Sequence, residues 1–448
     1  MSTKLTKAAL VTLVAVLVAA CGSPSDDSDD NTSGNGGSGD SGASAAEKAA
    51  DELGIDLSKC PTDITAPLSG TVKIGSPLAQ TGPAAVALAP LGAAQQAAVD
   101  YYNDEGDLPF KLELVLADDQ FDPAKTVAAT QKLIQSDKVP LINGIIGTAN
   151  VAAASPVANQ YCVPIIAGNA SGRTANDPKQ FPFTTVWSLP SYIDVLSWIT
   201  HLKEEFPDGA KIAVLTANNE SGKDYLAAVD ELTKGTNLEV VSNTTIEPAD
   251  TATPAAQVTT MKASGANVLL AQTAPSGQCS SLMKEVANQG WKPDAFMLTS
   301  SCSILALIQP AGDAADGVMV NLYIEDPSSD SDGVKTINDA MAKYQPGQPI
   351  VGSTMTGWSE VEVLVNAIKQ AEGSPLGASP LGILQAATHM SFQSDGILPG
   401  VTYSLNYQDD QVAMEGAQLS KYDAAAGAFS KIQVYDFNGE TTGKASVN

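Results

Sequence analysis

The chain has 448 residues, with 50 Asp and Glu against 24 Lys and Arg, a formal net charge of −26 and only two histidines. This acidity argues against nucleic acid and against direct adhesion to anionic lipid as partners. The length exceeds what one hydrophobic core organises, and no stretch beyond the first twenty residues approaches a membrane span.

The chain opens with an export signal. Lys4 and Lys7 precede an apolar run over residues 8–20 that is too short for a permanent membrane helix. Leu17-Val18-Ala19-Ala20-Cys21 resembles the bacterial lipobox, in which the cysteine is lipidated and becomes the new N-terminus. An ordinary signal peptide cut after Ala20 is the competing reading. Residues 21–59, rich in Ser, Gly and Asp, bury too little apolar surface to offset ordering entropy and are expected to form a disordered acidic tether.

From Cys60 onward, short β-rich runs alternate with amphipathic segments. Val72-Lys73-Ile74-Gly75, residues 112–116 and residues 141–146 read as strands, and residues 91–102 and 123–135 as helices. Asp122-Pro123 marks a helix start, with Val127, Leu133 and Ile134 on the buried face. A second series begins at residues 192–206 and continues through residues 212–215, 225–232, 238–246, 268–271 and 296–298. Two such series predict two α/β lobes with parallel sheets. Residues 181–190 read as an extended crossing and residues 318–323 as the return, followed by helices near 337–344 and 358–372. Residues 401–405, 414–421 and 429–435 read as antiparallel strands separated by turns at 408–410 and 424–427.

Setting Cys21 aside as the lipidation site leaves Cys60, Cys162, Cys279 and Cys302, an even number in an exported chain. Three connectivities are open. Strand topology favours Cys60–Cys162 at the N-terminal edge of one sheet and Cys279–Cys302 at the C-terminal edge of the other. No CxxC pair or His-rich cluster suggests zinc.

Catalytic constellations are scarce. His201 and His389 both read as structural, and there is no GxSxG elbow, HExxH or P-loop. The Asp118-Asp119 pair suits acid/base work or, equally, turn and cap chemistry. The chain is therefore read as a binding protein rather than an enzyme, with no metal and no cofactor. Polar turns recur at the C-terminal strand edges, where open parallel sheets bind ligands: Gln80-Thr81, Thr148, Asn169 and Ser171 in the first lobe, and Ser221, Ser276 and Ser300-Ser301 in the second. Arg173, the sole arginine, stands at the same edge, either as a fork for a ligand carboxylate or paired with Asp177.

Val72-Lys73-Ile74-Gly75, Gln80-Thr81-Gly82-Pro83, Asp118-Asp119-Gln120-Phe121-Asp122-Pro123-Ala124 and residues 311–318, in this order and spacing, resemble the Leu/Ile/Val-binding type of ABC-transporter substrate-binding protein. The resemblance implies the type I periplasmic-binding-protein fold: two Rossmann-like lobes joined by a three-crossing hinge and closing on a ligand. Expected boundaries are a signal at 1–20, a tether at 21–59, an N-terminal lobe at 60–187 and 322–398, and a C-terminal lobe at 188–321 and 399–448. It implies that Thr148, Asn169 and Ser171 contact a ligand carboxylate. Where amino-acid binders place an acid for the ammonium, this chain has Ser300 or Ser301, and Ala87, Ser221 and Ser276 replace aromatic walls. Met355 and Trp358 are further candidates for the cleft. The function implied is a monomeric, lipid-anchored receptor capturing an amino acid or related small polar solute for an ABC permease and ATPase; a ligand-sensing surface receptor is the alternative.

Overall fold

A computed structural model describes residues 44–248, 252–406 and 412–437. Cys21, the export signal, most of the expected tether and the turn at 408–410 lie outside the described residues. The tether expectation fails at its end, because helix α1 (Ala45–Leu53) forms there. Ser44 and Glu47 make a reciprocal capping box, and Ala49, Ala50, Leu53 and Ile55 bury against the body. A run of small residues with one leucine was enough for a helix that has a surface to cover.

The first sheet contains β1 (Thr71–Pro77), β2 (Lys111–Ala117), β3 (Leu141–Asn143), β4 (Ile165–Asn169) and β5 (Thr184–Trp187). All its pairings are parallel, in the order β2-β1-β3-β4-β5. Helices α2 (Ala85–Glu105), α3 (Pro123–Gln135) and α4 (Thr148–Tyr161) make the crossovers. Asp122 caps α3 by accepting from Ala124 N at 2.9 Å, and Pro123 occupies the first helical position. Leu133 and Ile134 are buried as expected, and Val127 is half-buried.

The second lobe repeats the winding. Helix α5 (Ser191–Glu205) leads to β6 (Ala210–Ala217), α6 (Glu220–Thr233), β7 (Leu238–Ile246), α7 (Ala255–Ala263), β8 (Val268–Ala271), α8 (Gln278–Asn288), β9 (Ala295–Leu298), the single turn α9 (Leu305–Ile308) and β10 (Met319–Leu322). The parallel order β7-β6-β8-β9-β10 matches the first sheet strand for strand. Residues 319–322, expected in the return crossing, are therefore a strand, paired with Met297 and Leu298 of β9. Likewise Thr184–Trp187 belongs to the first sheet rather than to the outward crossing.

The chain then returns to cover the first sheet with α10 (Asp332–Tyr344), α11 (Gly352–Glu372) and α12 (Pro380–Ala387). Strand β11 (His389–Phe392) pairs with β12 (Tyr403–Asn406) in a separate ribbon, so residues 401–405 do not join the later strands. Strands β13 (Gly416–Asp423) and β14 (Ala428–Asp436) extend the second sheet antiparallel beyond β10. Met355 and Trp358, candidates for the cleft, are instead fully buried in the first lobe's core, Trp358 against Tyr101 and Tyr102.

Disulfides join Cys60 to Cys162 and Cys279 to Cys302, the pairing that strand topology favoured. One apolar cluster draws on both lobes: Leu78, Leu88 and Leu91 pack together with Leu298, Leu307 and Ile308.

Candidate functional site

Between the lobes lies a cavity of about 590 Å³, within the range of small-molecule sites. The C-terminal ends of the strands of both sheets open into it. It gathers Thr148, Asn169 and Ser171 from the first lobe and Ser221, Ser276 and Ser300 from the second. Gln80, Thr81 and Arg173 do not line it.

Gln80 and Thr81 serve the Asp118-Asp119 pair instead. Asp118 accepts from Gln80 N at 2.9 Å, from Gln120 N at 3.1 Å and from Thr81 Oγ1 at 2.5 Å. Burial works against ionisation here, yet these bonds hold the Asp118 carboxyl below its usual value. Asp119 accepts from Phe121 N at 2.9 Å and from Thr126 Oγ1 at 2.8 Å, and burial pushes its carboxyl up. Together they pin a turn in which Gln120 and Phe121 both adopt positive φ, 53° and 60°. Two consecutive left-handed non-glycine residues are strained, and the strain delivers Phe121 to the cavity wall.

Helix α4 starts at the cavity with no side-chain cap. Its first amides have no partner within the helix and face the region where an anion would be favoured. Thr148 Oγ1 accepts from Gly172 N at 2.9 Å, which leaves its own proton free to donate. Across the cleft, Ser171 Oγ and Ser221 Oγ stand 3.4 Å apart, linking the lobes. Gln272 is oriented by Ala217 N, which donates to its Oε1 at 2.9 Å, and its Nε2 donates to Ser221 at 3.4 Å.

The family model described as periplasmic binding protein matches residues 71–427. The chain belongs to the periplasmic binding protein family. A solute-binding protein of an ABC transporter from R. palustris, in complex with 4-hydroxybenzoate, is similar with TM-score 0.71 and 19% identity, covering 82% of this chain and 97% of that one. A branched chain amino acid ABC transporter protein from Thermus thermophilus with bound valine gives TM-score 0.71 at 18% identity, over 83% and 97% of the two chains. A fatty acid ABC transporter substrate-binding protein from Thermomonospora curvata gives 0.70 at 20%, over 82% and 96%. These likenesses establish the type I fold. A search of curated proteins found no match.

In this periplasmic binding protein the charged side chains lining the cavity among the described residues are Asp122, Lys125 and Glu247. Asp122 is engaged as the α3 cap, Lys125 Nζ donates to Gln120, and Glu247 Oε1 accepts from Asn218 Nδ2 at 2.6 Å. Behind Ser300, in the next layer, sits Asp194, fully buried. It accepts from Ser300 N at 3.0 Å, from Asn321 Nδ2 at 2.6 Å and from Tyr225. Burial pushes both the Asp194 carboxyl and the Tyr225 phenol up.

Arg173 pairs with Asp224 rather than Asp177: its Nε donates to Asp224 Oδ1 at 2.6 Å, and its guanidinium lies over the Tyr192 ring at 5.7 Å. Asp224 also accepts from Ser191 Oγ, so this cluster ties the loop after β4 to α6. His201 and His389 lie away from the cavity, beside Tyr435 and Glu52 respectively. Residues that the sequence reading did not single out include Gln272, Tyr323, Phe121 and Ser188. Ser188 holds φ 119°, and its buried hydroxyl has no partner among the described residues. Consecutive left-handed residues carry no glycine or asparagine signal here, so only the fold reveals them.

Proposed function

We propose that this protein is the extracytoplasmic receptor of an ABC importer, anchored by lipid on Cys21, and that it captures a small organic carboxylate lacking an amino group. The carrying observation is the asymmetry of the cavity. One wall offers an uncapped helix N-terminus with the Thr148 hydroxyl, while each carboxylate that lines the cavity among the described residues is already engaged within its own lobe. An enclosed ammonium would lose water without gaining a counter-charge, which is costly. A carboxylate on the α4 amides would gain charge-assisted hydrogen bonds. The 4-hydroxybenzoate bound by the R. palustris relative accords with this reading. Capture closes the lobes about the three crossings, the closed pair presenting Ser171 beside Ser221, and the closed form docks on the permease.

Thermal-shift measurements on the full chain with aromatic acids, branched aliphatic acids, their amides and the corresponding amino acids test the ligand class. Carboxylates without an amino group should raise the melting temperature. Stabilisation by amino acids alone would overturn the reading. Replacing Cys21 with serine should move the protein out of the membrane fraction; unchanged fractionation would overturn the anchor.

A further inference from the structure

Below the cavity, Glu360 of α11 is fully enclosed, and three donors converge on it. Trp187 Nε1 at 3.2 Å and Asn169 Nδ2 at 3.3 Å share Oε1, and Gln95 Nε2 donates to Oε2 at 2.8 Å. Gln95 is itself held, its Oε1 accepting from Ser76 Oγ at 3.0 Å. The ion pairs among the described residues do not include Glu360.

An ionised carboxylate only accepts, so it dictates which way a facing amide turns. Asn169 must direct its NH₂ at Glu360. The same residue lines the cavity, and its Oδ1, which accepts no hydrogen bond among the described residues, is left facing a ligand, with the second N–H of the amide beside it. An amide oxygen repels a carboxylate, so Oδ1 suits a donor on the ligand instead.

We infer that Glu360 positions Asn169 as a hydrogen-bond acceptor in the cavity, so that the site selects carboxylates bearing a hydroxyl on the adjacent carbon. The inference rests on the carboxylate reading above. Its spacing follows from the fold: Gly147 N donates to Asn169 O at 2.8 Å, which sets Asn169 beside the start of α4. A carboxylate on the α4 amides therefore brings its neighbouring hydroxyl to Asn169.

The surroundings of Glu360 make the device sensitive to pH. Around it α2 presents Gln95, β4 presents Asn169, β5 presents Trp187, and the crossing presents Tyr323, whose phenol is pushed up by burial and then by the Glu360 charge. Burial raises the Glu360 carboxyl to about 7, against those three hydrogen bonds. Above that pH it is ionised and fixes Asn169. Below it, the carboxyl has one donor and one acceptor arm, as glutamine does, and Asn169 is no longer bound to one orientation.

Isothermal titration of the full chain with matched pairs tests this: lactate and propionate, 2-hydroxyisovalerate and isovalerate, mandelate and phenylacetate, with alanine, valine and phenylglycine as amino counterparts. These acids are ionised at both pH 5.5 and pH 8. At pH 8 the hydroxy member of a binding pair should be about tenfold tighter than its parent, the scale of one buried hydrogen bond. Asn169→Ala should bring that ratio to about one. In the unaltered protein the ratio should fall at pH 5.5, and Glu360→Gln should show the low ratio at both pH values. The pH profile of the unaltered protein reads the orientation even if a variant fails to fold. Parent acids binding with no hydroxyl preference, a preference that survives Asn169→Ala, or tighter binding of the amino counterparts overturns the inference. A ratio that ignores pH, or a full pH step in Glu360→Gln, overturns the part given to Glu360. Where parent acids bind at least as tightly as their amino counterparts, the carboxylate reading stands; if no acid binds or the amino counterparts bind more tightly, that reading fails and this one with it.

Discussion

A Cβ placed on Gly147 would come within 2.9 Å of Phe121 Cε2, so the residue that starts α4 and the residue delivered by the Asp118-Asp119 turn define one wall together. Gly147 also holds φ 100°, a backbone region that side-chain-bearing residues avoid. Gly147→Ala should therefore destabilise by about 1–3 kcal/mol and, by displacing Phe121, weaken ligand binding more than stability alone explains. Chemical denaturation alongside titration separates the two; equal affinity in the folded variant would count against Phe121 as a wall of the site.

Glu360 should also shape the pH dependence of stability. Its folded value, raised by burial to about 7, lies above the ordinary 4.5, so folding favours the protonated form. The resulting stability is fully present below about 4.5 and is lost as pH rises through 7, amounting to roughly 3 kcal/mol. Glu362, pushed up by burial and by the Asp395 charge, acts in the same direction. Urea unfolding at pH 5 and pH 8 should show Glu360→Gln losing less stability over that interval than the unaltered chain. Identical losses would contradict the assignment.

The two disulfides should differ in weight. Cys60–Cys162 spans 102 residues and Cys279–Cys302 only 23, so chain-entropy arguments assign about 5 and about 3 kcal/mol. The shorter one should matter more for binding, because Cys302 follows Ser300 and Ser301 in the cavity wall and Thr273 Oγ1 contacts its sulfur at 3.3 Å. Paired Cys→Ser variants, compared by denaturation and by titration with a bound acid, should rank oppositely in the two measurements.

Arg173→Ala should cost stability before it costs recognition. It leaves Asp224, 8% exposed, without its guanidinium partner, a loss of about 2–3 kcal/mol. Arg173→Lys should restore only part of this, since lysine cannot reproduce the planar contact with Tyr192. A variant with unchanged melting temperature but abolished binding would make Arg173 a ligand contact after all.

The alternation of β-rich and amphipathic segments was enough to read two parallel sheets, and Asp122-Pro123 was enough to read the start of α3, because both signals are local. Glu360 was not legible. It reads as a surface charge on a helix, and its partners lie 173, 191 and 265 residues away. Asp194 was hidden for the same reason: Asn321, which binds it, is 127 residues distant. The lone arginine was visible, but its choice between Asp177 and Asp224 depends on where α6 docks. Strand β10 was misread as a crossing because a buried central strand and a short apolar linker share one composition.

The left-handed pair at Gln120 and Phe121 sets a limit on how this protein can be improved. Its conformational energy is carried by every folded molecule, occupied or not, and glycine or asparagine at either position would release it. A selection for heat resistance alone would drift first toward this turn and slacken the aromatic wall it supports. Substitutions enriched here under such selection and purged under selection for uptake would mark the turn as the place where durability and capture compete.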